Sequence, residues 1–573
     1  MEQFDVLVIG SGGTGQRAAL EAAHHEGLKV AMMTKIFPTR SATAMAQGGI
    51  NGALKNVAPE DSVETHVFDT VKGGDYLGDQ DAVEYFISRC PEGILEMDYL
   101  GTPFSRTADG KIAQRNFGGQ AYPRTCYSAD KTGHVLLHTL YEQCLKEGVH
   151  ILQDWYLLDL VLNDEGAVCG VVAWNTRHGR VEKVYAKSVV MCTGGAGRMY
   201  WARTTNPFLS NGDGMAACFR KGCALKDPEM IQFHPTGLAK TGILMSEAVR
   251  GEGGYLLNKD GERFMARYAP SKMELAPRDV VAKAIETEIA EGRGFNGTGL
   301  EAYVVADLRH LSRETIIEKL HGIRDLALVF ENADPLVEPI PIRPTCHYTM
   351  GGVDVTDYKT AGTAIPGLFA AGEVANVSIH GANRLGGNSL ADCVVYGKIA
   401  GEGSSAYAAS HELVKSEKNM DEAVAMWEAR FEEVTSRTTG RKVADIREDM
   451  AMAMWNKVGI FRNEKDMLEA IEILDKLMED YKTVQVGDTS RTFNTAWINY
   501  IELGSMLTVA KATAMGALRR QESRGSHLRD DFQTRNDADF LNHTLITLGE
   551  NGEYQVGQKP VVITKYEPKE RTY

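Results

Sequence analysis

One short stretch near the N-terminus constrains the fold more than any other. The apolar run Phe4-Asp5-Val6-Leu7-Val8-Ile9 leads into Gly10-Ser11-Gly12-Gly13-Thr14-Gly15, and then into the helix-forming Gln16-Arg17-Ala18-Ala19-Leu20-Glu21-Ala22-Ala23. Strand, G-x-G-x-x-G turn and helix in that order predict a dinucleotide-binding βαβ start. Gly10 makes the turn. Gly12 lets backbone approach a pyrophosphate at the helix N-terminus, and Gly15 lets helix and strand pack closely. Gly10, Gly12, Gly13 and Gly15 are therefore candidate cofactor contacts. The next strand, Leu28–Met33, ends at Thr34-Lys35, further candidate contacts, where an acid usually holds the ribose hydroxyls. That departure argues against a plain NAD dehydrogenase. Two later strands also run into glycine turns: Val189–Cys192 into Thr193-Gly194-Gly195, and Leu368–Ala371 into Gly372-Glu373. Three discontinuous pieces of one site fit a FAD domain interrupted by a long insertion.

The 573 residues suffice for two to four domains. Lys+Arg 62 against Asp+Glu 77 gives a net charge of −15, which argues against nucleic acid as a partner. Basic pairs such as Arg519-Arg520 lie among acids and read as solvated helix ends. The nine cysteines form no Cys-x-x-Cys pair, so neither zinc nor an iron–sulfur cluster is expected in this chain; most read as buried, reduced thiols. Met1 leads almost directly into the first strand, and no apolar run approaches the roughly 20 residues needed to cross a bilayer. The chain is expected to be cytosolic, or held at a membrane by other subunits.

Chemistry-bearing residues concentrate in four further segments. Gln232-Phe233-His234-Pro235-Thr236-Gly237 is followed by Ser246-Glu247-Ala248-Val249-Arg250-Gly251. Glu247 and Arg250 are three apart, on one face if helical, and can form a charge pair able to pass a proton. Pro277-Arg278-Asp279 sets an arginine before an apolar run. Pro344-Thr345-Cys346-His347-Tyr348-Thr349-Met350-Gly351-Gly352 reads as a polar, glycine-flanked loop. His380-Gly381-Ala382-Asn383-Arg384-Leu385-Gly386-Gly387-Asn388-Ser389-Leu390 is too glycine-rich and polar for a core element, and follows a sheet strand, where α/β proteins bind small molecules. Two histidines and two arginines (Arg278, Arg384) on separate loops suit an anionic substrate with more than one carboxylate, because arginine binds carboxylates bidentately.

These segments resemble the flavoprotein subunit of succinate dehydrogenases and fumarate reductases. The motifs GSGGTG, AQGGI, TGGAGRMY, QFHPTG, EAVRGEGG, PRDVV, HYTMGG, GANRLGGNSL and ESRGSHLRDD carry the resemblance, which runs from Phe4 to Tyr573. It implies dicarboxylate binding by His234, Ser246, His347 and Arg384, with Phe117 in the loop lining the pocket. Ser246 stands where threonine is usual and keeps a hydroxyl. It further implies that Arg278 moves a proton to or from the substrate carbon, with Glu247 and Arg250 as its relay. Ser41, Thr43, Gly48, Gly49, Asp213, Glu373, Ser389 and Leu390 match flavin contacts. The implied reaction interconverts fumarate and succinate by hydride transfer at FAD N5. The implied partners are an iron–sulfur subunit and a quinone-binding membrane anchor, with the chain peripheral on the cytoplasmic face of a bacterial inner membrane. L-aspartate oxidase, a reductase of another activated alkene and a non-catalytic assembly subunit are the alternatives.

One departure stands out. The family usually reads R-S-H-T where this chain has Arg40-Ser41-Ala42-Thr43, and that histidine bonds the flavin covalently. Ala42 carries no nucleophile, so non-covalent FAD is expected, and with it a bias toward fumarate reduction. The expected architecture is α/β: a Rossmann-like FAD-binding domain (1–235 and 351–410) interrupted by an α+β capping domain (236–350). A helical domain (418–545) and a strand-and-loop tail (546–573) complete it. Gly237 and Gly351-Gly352 are expected hinges for cap closure.

Overall fold

A computed structural model describes residues 2–572. Its central sheet carries the N-terminal motif. Strand Glu2–Ile9 lies parallel between Val30–Thr34 and Arg180–Met191. The C-terminal end of Arg180–Met191 pairs in parallel with Leu368–Ala370, while its N-terminal half pairs antiparallel with Val168–Asn175. The stretches 6–9, 30–33 and 189–191 of these strands are apolar and buried because both faces are covered there, as expected of a buried parallel sheet. Register sets where the turns emerge. Ile9 is level with Met33 and with Met191, and Met191 is level with Ala370. The turns beginning at Gly10, Thr34, Cys192 and Ala371 therefore leave the sheet side by side at its carboxyl edge, where such folds bind ligands.

Gly10 and Gly15 show why glycine is required here. Gly10 has φ +108°, and a Cβ on Gly15 would come within 1.9 Å of the Gly10 carbonyl oxygen. Helix Gly13–Ala23 can thus sit directly over the strand that precedes it.

The capping unit has its own antiparallel sheet, Ile231–Leu238, Ile340–Thr349, Val304–Asp307 and Tyr255–Leu257 in that order. It also has a separate apolar cluster running from Leu238 to Ile342. Both histidine segments, expected as loops, are strands of this sheet. Pro235 is tolerated because the pairing register shifts between His234 and Gly237, a bulge that needs no ladder donor there. The expected hinge glycines are instead close-packing positions. A Cβ on Gly237 would meet Thr345 Oγ1 at 2.0 Å, on Gly351 the Asp227 carbonyl at 2.1 Å, and on Gly352 the Val374 carbonyl at 2.5 Å.

The helical unit comprises Glu417–Thr435, Val443–Lys457, Glu464–Lys482 and Thr495–Arg519. Ser416, Asn463 and Asn494 start three of these helices by accepting a backbone N–H three residues on. The second helix has no such side-chain cap, and its pattern does not announce it. The tail strands Asn542–Leu548 and Tyr554–Pro560 extend a small sheet through Leu225–Lys226, so the tail packs on the body of this chain.

Arg520, expected at a solvated helix end, is fully buried. It donates to Glu229 at 2.8 Å and to Glu522 at 3.0 Å, and Arg524 continues the network. The surrounding acids are buried partners, a distinction that sequence proximity alone cannot make.

Beside this network His543 sits between Asp227 (2.6 Å) and Asp79 (3.2 Å). Burial alone would push its pKa down, but the two carboxylates hold it up at about 9. The folded state thus binds this proton more tightly than the unfolded chain, whose histidine titrates near about 6.5. The stabilisation is complete below about pH 6.5 and is lost as pH rises through about 9. A His543→Gln variant leaves two buried carboxylates facing each other. It should lose about 3–5 kcal/mol and melt earlier at pH 7, with the difference from the parent shrinking above pH 9. Calorimetry across that range checks this.

Candidate active site

A single cleft runs along the carboxyl edge of the central sheet and under the cap. Its wall includes Gly10, Gly12, Gly13, Thr34, Lys35, Ser41, Thr43, Gly48, Gly49, Thr193, Gly194, Asp213, Glu373, Ser389 and Leu390. Gly15 is not on the wall; it acts from behind, through packing. At one end the same cleft reaches Phe117, His234, Ser246, Glu247, Arg278, His347 and Arg384. Arg250 lies behind Glu247, off the wall. Its wall is continuous from the glycine turns of the sheet edge to the arginine cluster, so a dinucleotide site and a small-substrate site share one space.

The long part of the cleft fits FAD on its own chemistry. Ser41 Oγ, Thr193 Oγ1 and Asp213 Oδ1 are buried on its wall with no partner. Buried polar atoms are normally hydrogen-bonded, so these await a ligand. Gly12 precedes the first turn of helix Gly13–Ala23 without a side-chain cap, so the helix start presents amides to an anion. Lys35 and Asp213 pair at 2.6 Å near the end of the second strand.

The short end is built around one carboxylate. Glu247 Oε2 accepts from Arg278 Nε at 2.8 Å and lies 2.8 Å from Arg278 Nη2 as an ion pair. Its Oε1 accepts from the Gly118 backbone N–H at 2.7 Å and lies 3.5 Å from Arg250 Nη2. Glu247 stands at the start of the short helix Ala248–Gly251, so the expected i,i+3 relation to Arg250 holds, and the pair is buried rather than on the surface. Burial would raise the Glu247 pKa, but Arg278 and Arg250 outweigh it and keep the group ionised.

Gln232 joins this group to the last arginine. Its Oε1 accepts from Arg278 Nη1 (3.0 Å) and Arg384 Nη2 (3.1 Å), while its Nε2 donates to Asn383 Oδ1 and the Arg384 carbonyl. Burial, then the neighbouring Arg278 charge, lowers the Arg384 pKa to about 10, so it remains a cation at neutral pH. Glu373, pushed up to about 7 by burial, supplies at most part of a countercharge.

His234 and His347 face each other across adjacent strands with ring centres 5.0 Å apart. Burial and the surrounding arginines push both pKa values well below the ordinary histidine range, so both rings are neutral. The Thr236 N–H donates to His234 Nδ1 at 3.2 Å, which puts the ring proton on Nε2. His347 Nδ1 meets Thr205 Oγ1 at 2.8 Å.

The polar loop around Arg384 is buried, contrary to the expectation that its composition keeps it out of the core. It is held by side chains that no motif singles out. Asn51 Nδ2 donates to the Gly386 carbonyl and to Asn388 Oδ1, both at 2.7 Å; Gln120 Nε2 reaches Asn51 Oδ1 at 3.0 Å; His66 Nε2 contacts Asn388 Oδ1 at 3.0 Å. Gly387, at φ +88°, has no room for a Cβ, which would lie 2.1 Å from Asn51 Oδ1. Gln232 is a functional residue that the sequence analysis missed although it adjoins His234; its position in an alternating strand beside the histidine was the available signal.

Fold and cleft together fit a flavin-dependent oxidoreductase, and comparison with known proteins agrees. Residues 5–390 match the FAD binding domain family, and residues 447–573 match the fumarate reductase flavoprotein C-terminal family. The chain is 49% identical to the 8-methylmenaquinol:fumarate reductase flavoprotein subunit of Wolinella succinogenes, across 99% of this chain and 92% of that one. It is 43% identical to the succinate dehydrogenase flavoprotein subunit of Coxiella burnetii, across 100% of this chain and 99% of that one. A mutant FrdA of the E. coli quinol fumarate reductase superposes with a TM-score of 0.95 at 40% identity, covering 100% of this chain and 99% of that one. The chain belongs to the flavoprotein-subunit family of succinate dehydrogenases and fumarate reductases, and is an FAD-dependent oxidoreductase of that family.

Because Gln232 bridges Arg278 and Arg384 through one oxygen, Gln232→Leu should displace both. The expected result is a fall in fumarate turnover of about 10²-fold, the scale of a misplacement near 1 Å, together with a lower melting temperature, because two buried guanidinium groups lose an acceptor. Steady-state kinetics beside calorimetry measures both.

Proposed function

We propose that this chain is the catalytic flavoprotein subunit of a membrane-associated quinol:fumarate oxidoreductase, that it favours fumarate reduction, and that it holds FAD non-covalently. The observation that carries this is charge. Arg250, Arg278 and Arg384 set three buried guanidinium charges around Glu247, and Glu274 near Arg250 and the partly ionised Glu373 near Arg384 offset them only in part, so positive charge is in excess. A dicarboxylate supplies the missing negative charge.

In this reading Arg384, His347 and the Nε2–H of His234 hold and orient the two carboxylates, and Ser246 adds a hydroxyl at the wall. Arg278 faces the reacting carbon. Its Nη1 and Nη2 each keep one N–H beyond those bound to Gln232 and Glu247, so a proton can leave from a terminal nitrogen while the side chain stays fixed. FAD, when bound, supplies the hydride. The charge that develops beside the substrate carboxylate is met by preplaced donors, which need no reorganisation. An arginine is a reluctant acid, with a pKa above about 12, so it needs prompt reprotonation. Glu247, between Arg278 and Arg250, is the path for that.

Ala42 lies on the cleft wall with a methyl group where a linking histidine would stand. The nearby thiol of Cys393 is pushed up to about 12 by burial, and that of Cys192 is likewise raised, so neither offers a thiolate. Without a histidyl link the flavin keeps its electron density and is the stronger reductant, which supports the fumarate direction. The Wolinella relative is named for 8-methylmenaquinol and fumarate. By extension we place a quinol as electron source here, reached through an iron–sulfur subunit and a membrane anchor. Among the described residues no helix is long and apolar enough to cross a membrane, which supports attachment through partners.

Anaerobic reduction with dithionite and then addition of fumarate tests the reaction. Rapid reoxidation of the flavin is expected, slowed by about 10²–10⁴-fold in Arg278→Ala, the range for loss of a positioned acid. A flavin indifferent to fumarate would overturn the reading. Acid precipitation tests the attachment: yellow supernatant and colourless pellet are expected, and a yellow pellet would refute it.

A further inference from the structure

The second strand ends in Thr34-Lys35 at the place where dinucleotide folds set an acid for the ribose hydroxyls. A cation there is a poor substitute for an acceptor. The structure supplies acceptors from elsewhere. Lys35 Nζ lies 2.6 Å from Asp213 Oδ2 and 2.9 Å from Glu502 Oε1, with Tyr156 alongside, its ring centre 5.6 Å away. Lys35 leaves the end of a central-sheet strand, Asp213 is the first residue of helix Asp213–Arg220, and Glu502 sits within helix Thr495–Arg519 of the helical unit. Lys35 and Asp213 line the cleft; Glu502 does not. The second oxygen of Asp213, Oδ1, is buried and unpartnered.

We infer that Glu502 is a positioning residue for FAD: it draws the Lys35 ammonium to one side so that Asp213 keeps a free, charged oxygen for the adenosine end of the cofactor. One ammonium shared between two carboxylates, with Arg447 also acting on Glu502, leaves Asp213 incompletely neutralised and its Oδ1 a strong acceptor. With a single carboxylate the ammonium would neutralise it and, carrying three donors, could take both of its oxygens. The helical unit thereby contributes to holding the cofactor without touching it. This contribution weighs more in a chain with Ala42, where retention rests on non-covalent contacts alone. The inference rests on FAD occupying the cleft.

Glu502→Gln keeps the shape and removes the charge. In the full-length protein, FAD dissociation should rise at least about tenfold, the scale of one charge-assisted hydrogen bond. Affinity for FMN, which lacks the adenosine half, should stay as in the parent; a loosened fold would weaken both. Asp213→Asn should show the same FAD loss, and the double variant should be no worse than Asp213→Asn alone. Glu502→Asp should recover most of the affinity and serves if the glutamine variant does not fold. FAD binding unchanged in Glu502→Gln, equal losses for FAD and FMN, or additive losses in the double variant would each overturn the inference. A parent protein that binds no FAD would instead refute the cofactor reading on which it stands.

Discussion

Three guanidinium groups buried around one carboxylate set the terms for the rest of this molecule. Isolated buried ions are costly, and a pair is tolerated only when its remaining donors and acceptors are satisfied. Glu247 meets that condition with four donors nearby, and Gln232 accepts from both arginines it bridges, while Arg384 Nε stays without a partner. What is left over is positive charge pointing into a cleft. At 4 Å, and with an effective dielectric near 20, each unpaired guanidinium attracts an anionic oxygen by about 4 kcal/mol. A neutral alkene leaves that charge uncompensated, and a monoanion offsets less of it than a dicarboxylate. In the proposed reading, preference for a dicarboxylate lies in what the protein leaves unpaired. The neutrality of His234 and His347 belongs to the same balance, because further charge on either ring would be repelled by the arginines.

That charge arrangement depends in turn on two sheets meeting. The central sheet brings four turns to one edge through its register, and the cap sheet presents Gln232, His234 and His347 on neighbouring antiparallel strands. Arg278 begins a cap helix, whereas Arg384 belongs to a loop locked to the FAD side by Asn51 and Gln120. Gln232 accepts from both. The reacting groups are thus shared between cap and base, and relative displacement of the two would separate Arg278 from Arg384. At Gly237, Gly351 and Gly352 the chain runs too close to Thr345, Asp227 and Val374 to admit a side chain.

The residues themselves announced much of this. Periodicity and glycine spacing placed the first strand, the turn and the helix, and the other two glycine turns, because local chain geometry fixes them. The residue types at 234, 247, 278, 347 and 384 pointed to an anion because few other uses need so many donors in apolar surroundings. Sequence pattern did not carry pairing across distance. It could not show that the histidine segments were strands, since the proline and glycines that suggested loops serve a bulge and a close contact. Nor could it show that Arg520 is buried, since its partners Glu229 and Asp227 lie almost three hundred residues away. The burial of the polar loop at 380–388 escaped pattern for the same reason: its donors and acceptors are satisfied by Asn51, His66 and Gln120, side chains remote in sequence.

Ala42 ties the cofactor to this logic. A covalent flavin cannot leave, so its polar contacts need only orient it. A non-covalent flavin must be retained by the same contacts, and the unpartnered oxygens of Ser41, Thr193 and Asp213, with the amides at the start of helix Gly13–Ala23, are the groups available. Two of these are kept ready by something behind them: the close approach of Gly15 to Gly10 seats the helix amides, and Lys35 aligns Asp213. In the proposed reading, retention and redox bias then stem from one change. A flavin without the bond is electron-rich, which would favour giving a hydride to an alkene. Its whole burden of binding would fall on the sheet edge and the helices packed against it. On that reading, a chain that lacks the linking histidine while keeping the arginine cluster differs in how the cofactor is held and poised, and keeps the groups proposed to recognise the substrate.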